Sequence, residues 1–299
     1  MIGLYRMVSA LAVSAGFALF GQSSVARADA LPIQVDMQLV LAVDISFSIS
    51  RDEQDIQRRG YVAAFLDPEV IRAITSGYQG RIAVTYLEWA GEDIQFQVVP
   101  WMVISDPFSA RAFSERLAQV HVNRRGRTSL SKALIAALGL LRQSPFVSNR
   151  MVVDISGDGF NNDGPRVDGA RDALVYHGVT INGLPLMVGK DSGPEAMLDL
   201  YYKDCVIGGL GAFMMPMVGW DKFGATLNRK LIAEIAGPVN APEEARVWHA
   251  VAEGNQPSAD CLFGEKQERR EYIRQLEDAL GKTRAPRWIP REEDWPIPK

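Results

Sequence analysis

The 299-residue chain has little of what several common chemistries require. With two cysteines and three histidines in the whole chain a Cys/His zinc centre is not expected, and a disulfide-dense miniature fold is excluded. Basic charge is not in excess. Lys and Arg number 32 against 36 Asp and Glu, giving a net charge of −4, so binding to nucleic acid through phosphate neutralisation is not expected. Long apolar runs are missing too. Residues 7–20 form an uncharged apolar run of only 14, too short to cross a bilayer of about 30 Å at about 1.5 Å per residue. The uncharged stretch 205–219 is equally short and holds four glycines and Pro216, so it reads as a buried strand and loop. No G-x-S-x-G, Walker A or H-E-x-x-H pattern occurs. What is there, 47% hydrophobic and 23% charged residues, is an ordinary globular composition with length for a sizeable core.

The first 30 residues carry an address. Arg6 precedes the apolar run, and Ala28-Asp29-Ala30 has the small-x-small form of a cleavage site. Export to the periplasm or the extracellular space is expected, with a mature chain starting near Leu31 and no transmembrane anchor in it. In an oxidising compartment Cys205 and Cys261 read as one disulfide, worth about 4 kcal/mol less any strain. Two separate buried thiols are the alternative.

Beyond residue 31, short β-rich runs alternate with helical patterns. Residues 38–43 (QLVLAV) read as a buried strand, followed by a capping box from Ser50 to Glu53 and a helix ending near Asp67-Pro68. Strands are expected at 81–89 and 95–102, joined as an antiparallel hairpin. A helix follows over 106–120. Leu130, Ala133, Leu134, Ala137, Leu138 and Leu141 form the stripe of a core-facing helix. Then come a strand at 151–155, a helix at 165–177, strands at 179–186 and 213–218, and a helix at 223–235. This order predicts an α/β, Rossmann-like doubly wound fold, its sheet mainly parallel with an antiparallel edge strand and helices on both faces. The expected domain covers residues 31–237. Residues 238–299 read as an appendage: a polar stretch over 239–260, a charged helix at 265–280 and a Pro- and Trp-rich tail at 285–299 with Trp288 and Trp295.

The first strand runs into Asp44-Ile45-Ser46-Phe47-Ser48, a D-x-S-x-S loop at the carboxyl end of a sheet strand, where open α/β sheets bind ligands. Thr128 precedes the amphipathic helix, and Asp158 follows the strand at 151–155. Two carboxylates and three hydroxyls, without His or Cys, suit a hard cation such as Mg²⁺. Taken together, Asp44/Ser46/Ser48, Thr128 within G-x-T-x-x-x-x-A-L and Asp158 in a G-D-G turn resemble a von Willebrand factor A domain over residues 36–236. In that family the five positions form the metal-ion-dependent adhesion site. The resemblance therefore implies Ser46, Ser48 and Thr128 as hydroxyl ligands, with Asp44 and Asp158 acting directly or through water. More narrowly the chain is similar to a family of exported bacterial proteins that has no assigned activity. It departs from the common T-D-G turn in having Gly157 where the threonine would stand.

Other residues are weaker candidates. Asp154, inside a buried apolar strand, needs a partner and could support the site from behind. Arg124, Arg125 and Arg127 cluster beside Thr128, with Arg127 placed to meet an anionic partner. Residues 158–164 (DGFNNDG) suggest a calcium loop, but Gly169 stands where an EF-hand needs glutamate. His121, His177 and His249 are isolated. The expected activity is non-enzymatic: an exported module in which Mg²⁺ (with Mn²⁺ or Ca²⁺ as alternatives) captures a carboxylate of a protein ligand. A metal-assisted hydrolase of phosphates or esters, or a structural protein with a degenerate site, are the alternatives.

Overall fold

The structure is a computed structural model, and it describes residues 32–121, 124–187, 189, 194–237, 248–249 and 259–279. The expected leader at 1–30 and the Pro- and Trp-rich tail at 285–299 lie outside the described residues. The elements in chain order are β1 (Ile33–Gln34), β2 (Gln38–Asp44), α1 (Arg51–Ala64), α2 (Pro68–Thr75), β3 (Ile82–Trp89), β4 (Gln95–Ile104), α3 (Pro107–Ala118), α4 (Leu130–Arg142), β5 (Phe146–Val147), β6 (Met151–Gly157), α5 (Val167–Tyr176), β7 (Val179–Pro185), α6 (Leu198–Tyr201), β8 (Phe213–Met214), α7 (Phe223–Ala236), β9 (Trp248–His249) and α8 (Phe263–Ala279).

Among the described residues the main sheet has seven strands in the order β4-β3-β2-β6-β7-β8-β9. β2 pairs in parallel with both β3 and β6, and β6 with β7, while β3 and β4 form the expected antiparallel hairpin. All seven residues of β2 are buried. Leu39, Leu41 and Val43 point into one core with α1, α2, α3 and α7 residues such as Tyr61, Ile74, Phe113 and Leu227. Val40 and Ala42 point into the other, with Leu134 of α4 and Leu174 of α5. Period-2 alternation in a strand covered on both faces thus builds the doubly wound α/β fold. The chain order turns back at β2, whose neighbours β3 and β6 carry it to opposite sides of the sheet. Their carboxyl ends form the switch-point crevice.

Four expectations are refined. Asp67-Pro68 does not merely end a helix. Asp67 caps the Glu69 amide and Pro68 opens α2, a position where its missing N–H costs nothing. The strand expected at 213–218 shrinks to β8, because Pro216 has no amide to donate, and only a bridge between Leu186 and Met217 continues it. The polar stretch at 239–260 contributes β9, antiparallel to β8 at the sheet edge. Cys205 lies not in a strand but in a buried π-helical turn, Tyr202–Val206, that continues α6. The Cys205–Cys261 disulfide is formed and joins this turn to the start of α8.

Asp154 of β6 finds its partner 76 residues away. Lys230 Nζ of α7 donates to Asp154 Oδ1 at 2.5 Å and also to Glu234 Oε1, and all three side chains are fully enclosed. Two carboxylates share one ammonium. Burial, then the Asp154 charge, pushes the Glu234 carboxyl up to about 8, against the opposing pull of Lys230. Its value in the unfolded chain is near 4.5, so the folded protein holds an extra proton between about pH 4.5 and 8. Stability from this group is complete below that window and falls as pH rises through it. Glu234→Gln, which mimics the protonated acid, should flatten the decline by up to about 1.4 kcal/mol per pH unit in urea titrations between pH 5 and 8.

Candidate functional site

The site lies where β2 and β6 release their chains. The carboxyl of Asp44 is wholly buried, and its Oδ1 accepts the Ser46 amide at 2.7 Å, which curls the chain back as it leaves the strand. Ser46 Oγ and Ser48 Oγ lie 2.9 Å apart, and Ser48 Oγ donates to Asp158 Oδ1 at 2.6 Å. The structure thus brings Asp44, Ser46, Ser48 and Asp158 into one cluster. Burial falls along it, from Asp44 and Ser46 in the interior to an exposed Ser48. Thr128 lines the same cleft as Ser48 and Asp158, and its Oγ1 is 3.4 Å from where a Cβ on Gly159 would stand. Between the two serines the ring of Phe47 is exposed, with the Arg124 guanidinium over it at 5.8 Å.

Three loops must hold registry to make this cluster, and backbone bonds tie them. Arg125 donates its amide to Ile45 O, Phe47 to Gly126 O and Ser129 to Ala90 O, at 2.8, 3.2 and 2.8 Å. The Asn-rich loop after Asp158 adds side-chain ties. Asn162 Oδ1 accepts the Thr128 amide and Asn161 Oδ1 accepts the Ser131 amide, both at 3.0 Å. Asp163 Oδ2 accepts the Glu92 amide at 2.8 Å. Residues 158–164 therefore clamp the Thr128 loop, a role the sequence reading missed. Its signal is the run of short amide and acid side chains, which favour bonding to nearby backbone.

Asp44 Oδ2 is buried and has no hydrogen-bond partner, an expensive state for a carboxylate. Burial, and next the Asp158 charge, holds its carboxyl well above the usual carboxylate range. A positive charge at this spot would let Asp44 ionise, so the donor set fits a divalent cation. Among the described residues there is no group of three or more His, Cys, Asp or Glu, so hydroxyl oxygens would have to complete any such shell. Gly157 has a steric cause here. A Cβ on it would lie 2.9 Å from Asp44 Oδ2, 2.9 Å from the Tyr202 hydroxyl and 3.1 Å from the Trp89 ring. Tyr202 and Trp89 fill the space that a threonine would need.

The remaining candidates are placed elsewhere. Asp154 belongs to the buried Lys230 triad rather than to the loops. Arg127 pairs with Glu268 of α8. That helix, expected only as part of an appendage, comes to the site. Its Phe263 ring packs on Phe160 at 4.7 Å, and Glu265 Oε1 accepts from Asn161 Nδ2 at 2.8 Å. Together α8 and the three loops bound an open cleft of about 510 Å³.

Residues 34–239 match the family described as protein of unknown function (DUF1194). The chain belongs to this family. Among solved structures, the family member is similar to the von Willebrand factor type A protein from Catenulispora acidiphila. Identity is 14%, coverage 68% of this chain and 43% of that one, and the TM-score 0.48. It is also similar to the pilus adhesin SpaC from Lactobacillus rhamnosus GG in its open conformation, at 13% identity, 67% and 30% coverage and a TM-score of 0.48. A third similarity is to the conserved hypothetical protein BatB from Bacteroides thetaiotaomicron, at 16% identity, 67% and 98% coverage and a TM-score of 0.41. The chain spans less than half the length of the first two. No curated protein matches it. Among the described residues no helix is long and apolar enough to cross a membrane.

The crowding at Gly157 is testable. Gly157→Ala should lower unfolding free energy by about 1–3 kcal/mol, read as a shifted denaturant midpoint with unchanged slope.

Proposed function

We propose that this DUF1194 protein is an exported binding module that captures a carboxylate of a protein ligand through a divalent cation. Residues 1–30 are its export signal, residues 31–237 its von Willebrand factor A-like domain and residues 238–299 an appendage. Asp44, Ser46, Ser48, Thr128 and Asp158 hold the cation, with Mg²⁺ the expected ion and Mn²⁺ or Ca²⁺ as alternatives. The observation that carries this reading is the unpartnered, buried Asp44 Oδ2 beside a chain of hydroxyls that leads to Asp158 at the surface.

Each residue has a distinct task. Asp44 supplies charge from the dry end, held in one orientation by the Ser46 amide. Ser46 and Ser48 offer oxygens two residues apart, turned to the same side by that bend. Asp158 supplies the second negative charge at the mouth. A divalent cation with two carboxylates is only just neutralised and remains attractive to an acidic group from outside. The exposed Phe47 ring offers apolar contact beside it.

Calorimetric titration with Mn²⁺ tests the assignment. The wild-type chain should take up one ion, and the Asp44→Ala/Asp158→Ala variant should bind it about 100-fold more weakly or not at all. Equal binding by both, or none by the wild type, would overturn it.

A further inference from the structure

The cation cluster does not open onto a flat surface. α8, with 17 residues and a length of about 25 Å, stands along the other side of the cleft. Its first turn is fixed at several points. The disulfide holds Cys261, the Ala259 amide donates to Asp204 Oδ2 at 2.9 Å, and Phe263 packs on Phe160. Gly264 comes so near the Asn161 carbonyl that a Cβ would lie 2.1 Å from it. With that turn pinned, Glu268, Glu271 and Arg274 follow at intervals of three, and Arg270 joins them along the cleft.

The charges on this wall are unevenly committed. Glu268 is paired with Arg127 from the Thr128 loop. Glu271 is paired with Arg274 at 2.7 Å, but that pair is exposed, and such a pair is worth little and exchanges readily. Arg270 is exposed. Glu268, Glu271 and Asp158 balance Arg127, Arg270 and Arg274, so the cleft turns positive once a divalent cation is added, even with Asp44 ionised. Arg270 and Arg274, four residues apart, are separated by about 6 Å along the helix axis. Alternate residues of an extended peptide are separated by about 6.7 Å and face the same way.

We propose that α8 is part of the binding surface and that the cleft takes an extended acidic segment with at least two carboxylates. One meets the cation and another meets Arg270 or Arg274. The inference rests on the cation-dependent reading above and adds to it the shape and charge of the partner. A wall of this length refuses a flat acidic face and admits a strand or loop.

The test uses the full chain and a fluorescein-labelled peptide of alternating aspartate and serine with three aspartates, followed by anisotropy in Mn²⁺. Its asparagine counterpart is the control. The wild type should bind the aspartate peptide only with Mn²⁺ and ignore the control. Arg270→Ala/Arg274→Ala should weaken the peptide about tenfold or more while changing the Mn²⁺ affinity by less than about twofold. Equal peptide binding by the variant, or no peptide binding by Mn²⁺-loaded wild type, overturns the role of α8 and leaves the cation site standing. Failure of the wild type to take up Mn²⁺ overturns both.

Discussion

Seven enclosed residues of β2, bonded on each side to a parallel neighbour, end in an aspartate. That is the constraint on which the rest of the structure turns. A central parallel strand has no freedom to slide or tilt, so the Asp44 carboxyl is delivered to a fixed place that water does not reach. The Ser46 amide, the bare Cα of Gly157 and the stitched loops are all consequences of accommodating it. Polar groups buried under such terms must be matched by others, and here the Ser46 amide matches one carboxyl oxygen while the second is left without a partner.

The same sheet shows the opposite solution four residues before Asp158. Asp154, on β6, is as buried as Asp44, yet a lysine from α7 reaches it and the charge is neutralised within the protein. The interior acid is closed off and contributes to folding. Each acid keeps one oxygen without a hydrogen-bond partner, but among the described residues Asp44 has the Ser46 amide and no ion pair. Two aspartates of equal burial thus serve different ends because only one has a built-in cation.

Much of this architecture was legible in the sequence. The uninterrupted apolar run at β2, the helical stripe on α4 and the short turn between β3 and β4 are local patterns whose period fixes the element. The order of those elements then places Asp44, Ser46 and Ser48 beside Asp158. What escaped depends on contacts distant along the chain. Lys230 cannot be assigned to Asp154 across 76 residues, and nothing local to Gly157 announces the Tyr202 and Trp89 side chains that crowd it. Pro68 reads locally as a stop because the same residue that ends one helix suits the first turn of the next. The polar surface of α8 offers no apolar face to orient it, and the expected disulfide ties only the residues before it, so its approach to the cleft rests on the distant Phe160–Phe263 contact.

The link between Cys205 and Cys261 also bears on how the far side of the cleft is held. The two cysteines are 56 residues apart, and without the covalent tie, weak contacts alone would have to close that loop against an entropy cost of about 4 kcal/mol. The Ala259–Asp204 bond, the Phe160–Phe263 contact and the Glu265–Asn161 bond hold the same helix without a covalent link. The sulfur bridge shortens the tether on which they act, so the far bank of the cleft stays close at hand even when those weak contacts open.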